Sequence, residues 1–249
     1  MATNTLIMSP ADRAARTTSK RHALLRFLRK NYYTTAEIAG LVMGITSRQG
    51  IHTTLAAMER DGLLRRETVD ANGRKWTLWG VTAHGQALAF DPDAGERPES
   101  KYFETGRVGH TVLAHTLDLQ RISIQVKRAG WTDWQLGDRL EKWQADISRP
   151  DALVISPKGN RVAIECERTI KTVKRYEAIL SDRLQAIKRS QFQRCVWLCP
   201  TPELAVRLQT IITSIKDVAV AGSRVSIQER HLAMLAFGGY ENLLQAIGE

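Results

Sequence analysis

The stretch PDALVISPKGNRVAIECERTIK, residues 150–171, contains two short apolar runs separated by the turn-forming residues PKGN. This pattern predicts a β-hairpin with strands over Ala152–Ser156 and Arg161–Glu167. Because a hairpin folds back on itself, Asp151 before the first strand returns close to Glu165 near the end of the second. Two acids that lie far apart in the sequence are therefore expected at the same end of one sheet.

The second strand of this hairpin carries two acids on one face. Side chains alternate along a strand, so Glu165 and Glu167 point to the same side. Like charges at this spacing repel, and a divalent cation would neutralise them. Together with Asp151 they make three carboxylates that can converge. Oxygen ligands of this kind suit Mg²⁺ or Mn²⁺ rather than zinc.

Basic residues follow the hairpin at the start of a predicted helix. Lys171, Lys174 and Arg175 lie in its first turns, where the helix dipole disfavours cations, so a phosphate or the nearby carboxylates are expected to hold them. This combination suits phosphodiester cleavage, which needs a metal and a lysine beside the phosphate. The structural alternative is that the strand acids pair with Arg168 and Lys171 while Asp151 caps a turn.

The composition of the chain points to a polyanionic partner. Its 249 residues carry a formal net charge of +10, with a sequence pI of about 9.8, and nucleic acid is the first expectation. No apolar run approaches the roughly 20 residues of a spanning helix, and the start lacks a signal-peptide core, which predicts a cytoplasmic protein without membrane insertion. Cys166, Cys195 and Cys199 are expected to be buried free thiols.

A change of composition at residues 91–101 predicts a linker, because DPDAGERPESK has no apolar periodicity. Before it, residues 18–90 show three helical patterns, over Lys20–Lys30, from Thr34 or Thr35 onward, and over Ser47–Arg60. Two strand-like runs joined by an Asn-Gly turn follow. Three helices and a hairpin in this order are typical of a winged helix-turn-helix.

Such a domain would bind DNA through its third helix and its hairpin, the wing. A recognition helix reads base edges with polar and basic side chains, while basic residues on the wing contact phosphate. The alternatives are that these residues form solvated faces or dock another protein. The predicted contacts are Ser47, Arg48, Gln49, His52 and Thr53 on the helix, and Arg65, Arg66, Arg74 and Lys75 on the wing.

The segment 102–249 alternates helical and strand-like patterns, which predicts a mixed α/β sandwich. Beside the hairpin described above, it is expected to contain a last strand at Val225–Gln228, followed by a C-terminal helix. The remaining predicted elements are helices over Gly109–Arg128, Lys171–Lys188 and Pro202–Ile215, and strands over Trp131–Leu136 and Arg194–Leu198.

The acidic motif resembles that of the PD-(D/E)xK nucleases, with Pro150-Asp151 followed by Glu165-Cys166-Glu167. It departs from the family at Glu167, where lysine is usual. Some branches move the lysine to the following helix, which would make Lys171 the catalytic lysine. Lys174 is then the reserve and a further DNA contact.

A winged helix joined to such a sandwich is most similar to replication-relaxation proteins and MobC-type relaxases of mobilizable plasmids. The resemblance implies a restriction-endonuclease-like fold, in which Asp151, Glu165 and Glu167 bind Mg²⁺ or Mn²⁺ with the carbonyl of Cys166, and Lys171 supports the phosphate. The implied activity is nicking of one strand of double-stranded plasmid DNA at an origin of transfer. A type IV coupling protein or an accessory mobilization protein would be a further partner.

Two other functions agree with the same residues. The first is a non-catalytic DNA-binding regulator of plasmid replication or transfer with a degenerate nuclease domain, which Glu167 at the lysine position favours. The second is a restriction endonuclease. Binding of Mn²⁺ that depends on Asp151 is expected of the two nucleases and not of the non-catalytic regulator.

Overall fold

The computed structural model describes residues 9–90, 93, 95, 96 and 99–242. It is a mixed α/β protein with several sheets, and it divides into two compact units, Met1–Gln120 and Arg121–Glu249. None of the described helices combines the length and the apolar character that crossing a bilayer requires.

The first unit begins with a long helix and contains a three-stranded sheet of order β1-β3-β2. The three helices and the hairpin that the sequence predicts before residue 90 are present, whereas β1 and α4 were not predicted. The elements are α1 (Pro10–Asn31), β1 (Tyr33–Thr34), α2 (Ala36–Met43), α3 (Arg48–Arg60), β2 (Leu64–Ala71), β3 (Arg74–Val81) and α4 (Ala83–Ala89).

The boundaries of these helices follow from local side chains. Ser9, Thr35 and Ser47 each cap a helix by accepting a backbone N–H with the side-chain oxygen. Gly44 ends α2 in the left-handed region, with φ of 62°. Helix α1 begins ten residues before the predicted start at Lys20, because its first turns are exposed and carry no apolar periodicity.

The first unit extends beyond the predicted linker at 91–101. Of that linker, residues 91, 92, 94, 97 and 98 lie outside the described residues. Within the same unit, Phe103 packs on Tyr33, with ring centroids 5.7 Å apart, and the buried Thr34 hydroxyl donates to the Gln120 side chain at 2.7 Å. These contacts explain why the division falls at Gln120 rather than at the predicted start of the second domain, residue 102.

The second unit is built on a five-stranded sheet of order β10-β7-β6-β5-β4. Strands β6, β7 and β10 run parallel, while β4, β5 and β6 pair antiparallel. Helix α5 (Leu113–Arg128) crosses the boundary between the units. The other elements are β4 (Thr132–Leu136), β5 (Ala152–Ile155), β6 (Arg161–Cys166), α6 (Val173–Lys188), β7 (Arg194–Cys199), α7 (Pro202–Ser214), β8 (Asp217–Val220), β9 (Ser223–Ser226), α8 (Glu229–Leu232) and β10 (Leu235–Gly239).

Two predictions for the C-terminal part of the chain were wrong. The strand predicted at Val225–Gln228 lies at Ser223–Ser226 and belongs to a separate two-stranded sheet with β8. The stretch expected to lead into a C-terminal helix instead forms β10, because the short apolar run LAFGG pairs along the open edge of β7. Any helix over residues 243–249 lies outside the described residues.

Candidate active site

The hairpin of β5 and β6 brings Asp151 to the end of β6. Ala152 pairs with Ile164, so Asp151 lies at the level of Glu165, and the backbone N–H of Cys166 donates to Asp151 Oδ2 at 2.7 Å. The charge of Asp151 also acts on Glu165, whose pKa it helps to raise. The convergence of Asp151 and Glu165 that the sequence predicts is therefore present.

Gly137, just after β4, fixes the backbone on the other side of Asp151. Its N–H donates to the Asp151 carbonyl at 2.8 Å. A Cβ added at this glycine would fall on the carbonyl oxygen of Pro150, so only glycine allows the two segments to approach this closely. Asp151 is thus held through its carboxylate by the N–H of Cys166 and through its carbonyl by the N–H of Gly137.

Glu165 forms a buried ion pair that the sequence analysis missed. Arg183 of α6 donates from Nε to Glu165 Oε1 at 2.5 Å, and the two side chains are only 2% and 13% exposed. Burial raises the pKa of Glu165 to about 7, with Asp151 acting in the same direction and Arg183 and Lys171 opposing. The paired carboxylate thus lies in a site that would accept a further positive charge.

Glu167 follows β6 and pairs with Lys171. The Lys171 ammonium contacts the Glu167 carboxylate, and the two side chains are 32% and 6% exposed. The backbone N–H of Lys171 donates to the Tyr176 hydroxyl at 3.0 Å, which ties the start of α6 to its second turn. Of the ion pairs in the structural alternative, Glu167 with Lys171 is present, whereas Glu165 pairs with Arg183.

Cys166 lies between the two glutamates in sequence and faces the opposite side of the sheet. Its thiol is 3.1 Å from the hydroxyl of Tyr240, the residue after β10. Burial raises the pKa of the Cys166 thiol to about 12, so no thiolate nucleophile is available there at neutral pH. The three cysteines are free and buried, which confirms the prediction made for them.

The site fits a hard divalent cation by its chemistry. Asp151, Glu165 and Glu167 supply carboxylate oxygens, and Arg183 and Lys171 offset two of the three negative charges. The described side chains form no group of three His, Cys, Asp or Glu residues already spaced to hold a metal ion. Two of the acids are turned toward cationic side chains, so binding a metal through Glu167 requires Lys171 to move.

The predicted recognition surface on α3 is exposed. Four of its residues are open to solvent and form two rows along the helix. Arg48 lies one turn from His52, and Gln49 lies one turn from Thr53. Ser47 differs from them, because its hydroxyl caps the helix by accepting the Gly50 N–H at 3.2 Å. Four of the five residues predicted on this helix are therefore available as a group, and Ser47 has a structural role.

The four basic residues predicted on the wing divide between the two faces of the hairpin. Arg66 lies opposite Trp79 and Lys75 opposite Asp70, which places Arg66 and Lys75 on one face. Arg65 and Arg74 lie on the other face, where Arg65 pairs with Glu67 and the Arg74 guanidinium stacks 4.0 Å from the Trp76 ring centroid. The structure therefore does not bring all four together. In the other unit, Lys174 is exposed in the first turn of α6.

Comparison of the chain with protein-family models, curated proteins and solved structures gave no match. Function is therefore inferred from the residues of the chain itself. The relevant groups are the carboxylates at the end of the β5–β6 hairpin with their two cations, and the polar and basic surface of α3 and the hairpin that follows it.

Proposed function

We propose that this protein is a metal-dependent DNA endonuclease that nicks one strand at a specific site, acting as a plasmid mobilization relaxase at an origin of transfer. The observation that carries the proposal is the hydrogen bond from the Cys166 N–H to Asp151, which holds Asp151 beside Glu165. An acid pair at this end of a hairpin, with a lysine just before the next helix, resembles those branches of the PD-(D/E)xK nucleases in which the lysine has moved out of the strand.

In this function Asp151, Glu165 and Glu167 hold Mg²⁺ or Mn²⁺. When bound, the ion would polarise the phosphodiester and lower the pKa of a water molecule. Lys171, which is partly exposed beside Glu167, turns toward the phosphate and stabilises the charge that develops on its oxygens. Lys174, in the first turn of α6, contacts the DNA backbone.

The first unit would recognise the DNA as a winged helix-turn-helix. Its order of helix, strand, helix, helix and two-stranded hairpin supports this assignment. Arg48, Gln49, His52 and Thr53 would read base edges in the major groove, and the basic residues of the hairpin would contact phosphates. A coupling protein or an accessory mobilization protein would deliver the nicked complex for transfer.

The test is nicking of a supercoiled plasmid that carries the cognate origin, with Mn²⁺ present. Asp151→Asn and Glu165→Gln preserve the shape of each side chain, and both variants are expected to bind the origin but leave it supercoiled. Arg189→Lys, a change on the exposed side of α6, is the matched control and should nick as the wild type does. Undiminished nicking by both acid variants would contradict the proposal.

The second candidate function is a DNA-binding regulator without catalysis. The two ion pairs favour it, because Glu165 and Glu167 each already have an internal cationic partner. Calorimetry with Mn²⁺ discriminates between the two functions. A nuclease shows binding that Asp151→Asn abolishes, whereas a regulator shows no binding that depends on this residue.

A further inference from the structure

Arg183 contacts two different segments of the second unit through three hydrogen bonds from one buried side chain. Its Nε donates to Glu165 on β6 at 2.5 Å, while its two terminal nitrogens donate to the carbonyls of Ser148 at 2.6 Å and Arg149 at 2.9 Å. The planar guanidinium has a fixed fork of donors, so these three acceptors are held in one fixed arrangement.

The backbone that Arg183 holds leads directly into Asp151. Only Pro150 separates Arg149 from Asp151, and the proline ring restricts the rotation of that connection. Gly137 packs against the Pro150 carbonyl on the other side. A shift of the Arg149 carbonyl is therefore transmitted to the Asp151 carboxylate.

Other residues of α6 hold the same loop at a greater distance from the acids. Asp182 accepts from the Ser148 N–H at 2.9 Å and from its hydroxyl. Arg189 donates to both carboxylate oxygens of Asp146, at 2.8 and 2.9 Å. Helix α6 thus docks residues 144–149, and among these contacts Arg183 is the one that also binds an acid of the candidate site.

We infer that Arg183 is a positioning residue, which sets the distance between Asp151 and Glu165 by holding Glu165 and the Ser148–Arg149 backbone at the same time. The inference rests on the proposed function for its consequence, which is a preformed pair of metal ligands. The effect of Arg183 on the position of Asp151 can be measured on the metal-free chain.

The backbone amide of Cys166 reports on that position. Its N–H donates to Asp151 Oδ2, so this amide should exchange slowly with solvent while Asp151 is in place and faster when Asp151 moves. The experiment is hydrogen exchange followed by NMR on the metal-free full chain. Asp151→Ala, which has no side-chain acceptor, provides the reference for a lost hydrogen bond, and the amide of Val196 on β7 reports on the sheet as a whole.

Arg183→Lys keeps the charge beside Glu165 but replaces the guanidinium fork with a single ammonium. We expect exchange at Cys166 to accelerate by about tenfold or more while Val196 changes little. Affinity for Mn²⁺, measured by calorimetry, is expected to fall by about 10- to 100-fold. Arg189→Lys, the same substitution on the same helix, should change neither quantity.

A second variant tests whether Arg183 acts by holding the backbone or by neutralising the charge of Glu165. Arg183→Met combined with Glu165→Gln removes both charges of the pair and all three hydrogen bonds, and its Cys166 amide should also exchange faster. Unchanged exchange at Cys166 in both the Lys variant and the double variant would overturn the positioning role. Accelerated exchange in a protein whose wild type binds no Mn²⁺ would support the positioning role and overturn the proposed function.

Discussion

The candidate site has two carboxylate–cation pairs, Glu165 with Arg183 and Glu167 with Lys171. They differ in how firmly the cation is held. Arg183 is buried and is anchored by two backbone carbonyls as well as by Glu165, whose side chain is 13% exposed. Lys171 is partly exposed and reaches Glu167 from the segment that leads into α6. The two carboxylates are buried to a similar degree, so the pairs differ in their cations, with Arg183 buried and Lys171 partly exposed.

This difference indicates a division of roles between the two cations. A buried arginine that satisfies three acceptors cannot leave without breaking three hydrogen bonds and leaving the Glu165 carboxylate without its cation. A partly exposed lysine has a flexible stem and reaches solvent, so it can exchange its carboxylate partner for water or phosphate. We therefore expect Arg183 to determine geometry and Lys171 to take part in the reaction.

Removing Arg183 is expected to have the largest effect on stability. Arg183→Met leaves the Glu165 carboxylate buried without its cation, which should lower the free energy of unfolding by about 3–5 kcal/mol. Urea unfolding followed by circular dichroism measures this loss. A loss no larger than that caused by Lys171→Met would show that the two cations are held equally firmly, and the comparison would fail.

The pH dependence of stability tests the buried pair next. Burial raises the pKa of Glu165 from 4.5 to about 7 in the folded chain, so the folded state binds more protons than the unfolded state between these values. The contribution of Glu165 to stability is thus present in full below pH 4.5 and lost as pH rises through 7, with a slope of at most about 1.4 kcal/mol per pH unit.

Unfolding of the wild type and Glu165→Gln at a series of pH values isolates this contribution, because other titrating groups cancel in the difference. The wild type should lose stability relative to the variant as pH rises from 4.5 to 7. Parallel curves would show that Glu165 keeps an ordinary pKa beside Arg183.

The smallest effect on stability is expected at the pair whose lysine is partly exposed. Lys171→Met should lower the free energy of unfolding by about 1–2 kcal/mol, because Glu167 loses a partner but Lys171 was partly solvated. Under the proposed function the same variant should bind Mn²⁺ at least as tightly as the wild type and fail to nick. Retained nicking would assign the phosphate contact to another residue, and Lys174→Met is the variant to compare.

The acids of the site were readable from the sequence because their arrangement is local. Alternation along β6 and the return of a short hairpin suffice to bring Asp151 to Glu165. The contacts that Arg183 of α6 makes with Glu165 and with the loop at Ser148 and Arg149 could not be predicted in this way. Arg183 lies 18 residues from Glu165, and no periodic pattern in either segment specifies their contact.

A signal for Arg183 was nevertheless present in the sequence. Tyr176, Leu180 and Arg183 follow helical spacing along the buried side of α6, so an arginine occupies a position where an apolar residue is expected. Arginine in a core position requires a buried acid. Strand β10 gave a weaker signal, because a five-residue apolar run with two glycines fits a strand or a helix end equally well.

The close approach of Gly137 to Pro150 has a consequence for how this sequence can vary over evolutionary time. Gly137 has no group that could bind a metal or a phosphate, yet any side chain there would displace the backbone that leads into Asp151. Among descendants of this chain that keep the acid pair, glycine should persist at position 137 even where surface charges drift. A glycine that takes no part in the reaction would then identify related sequences as reliably as the acids do.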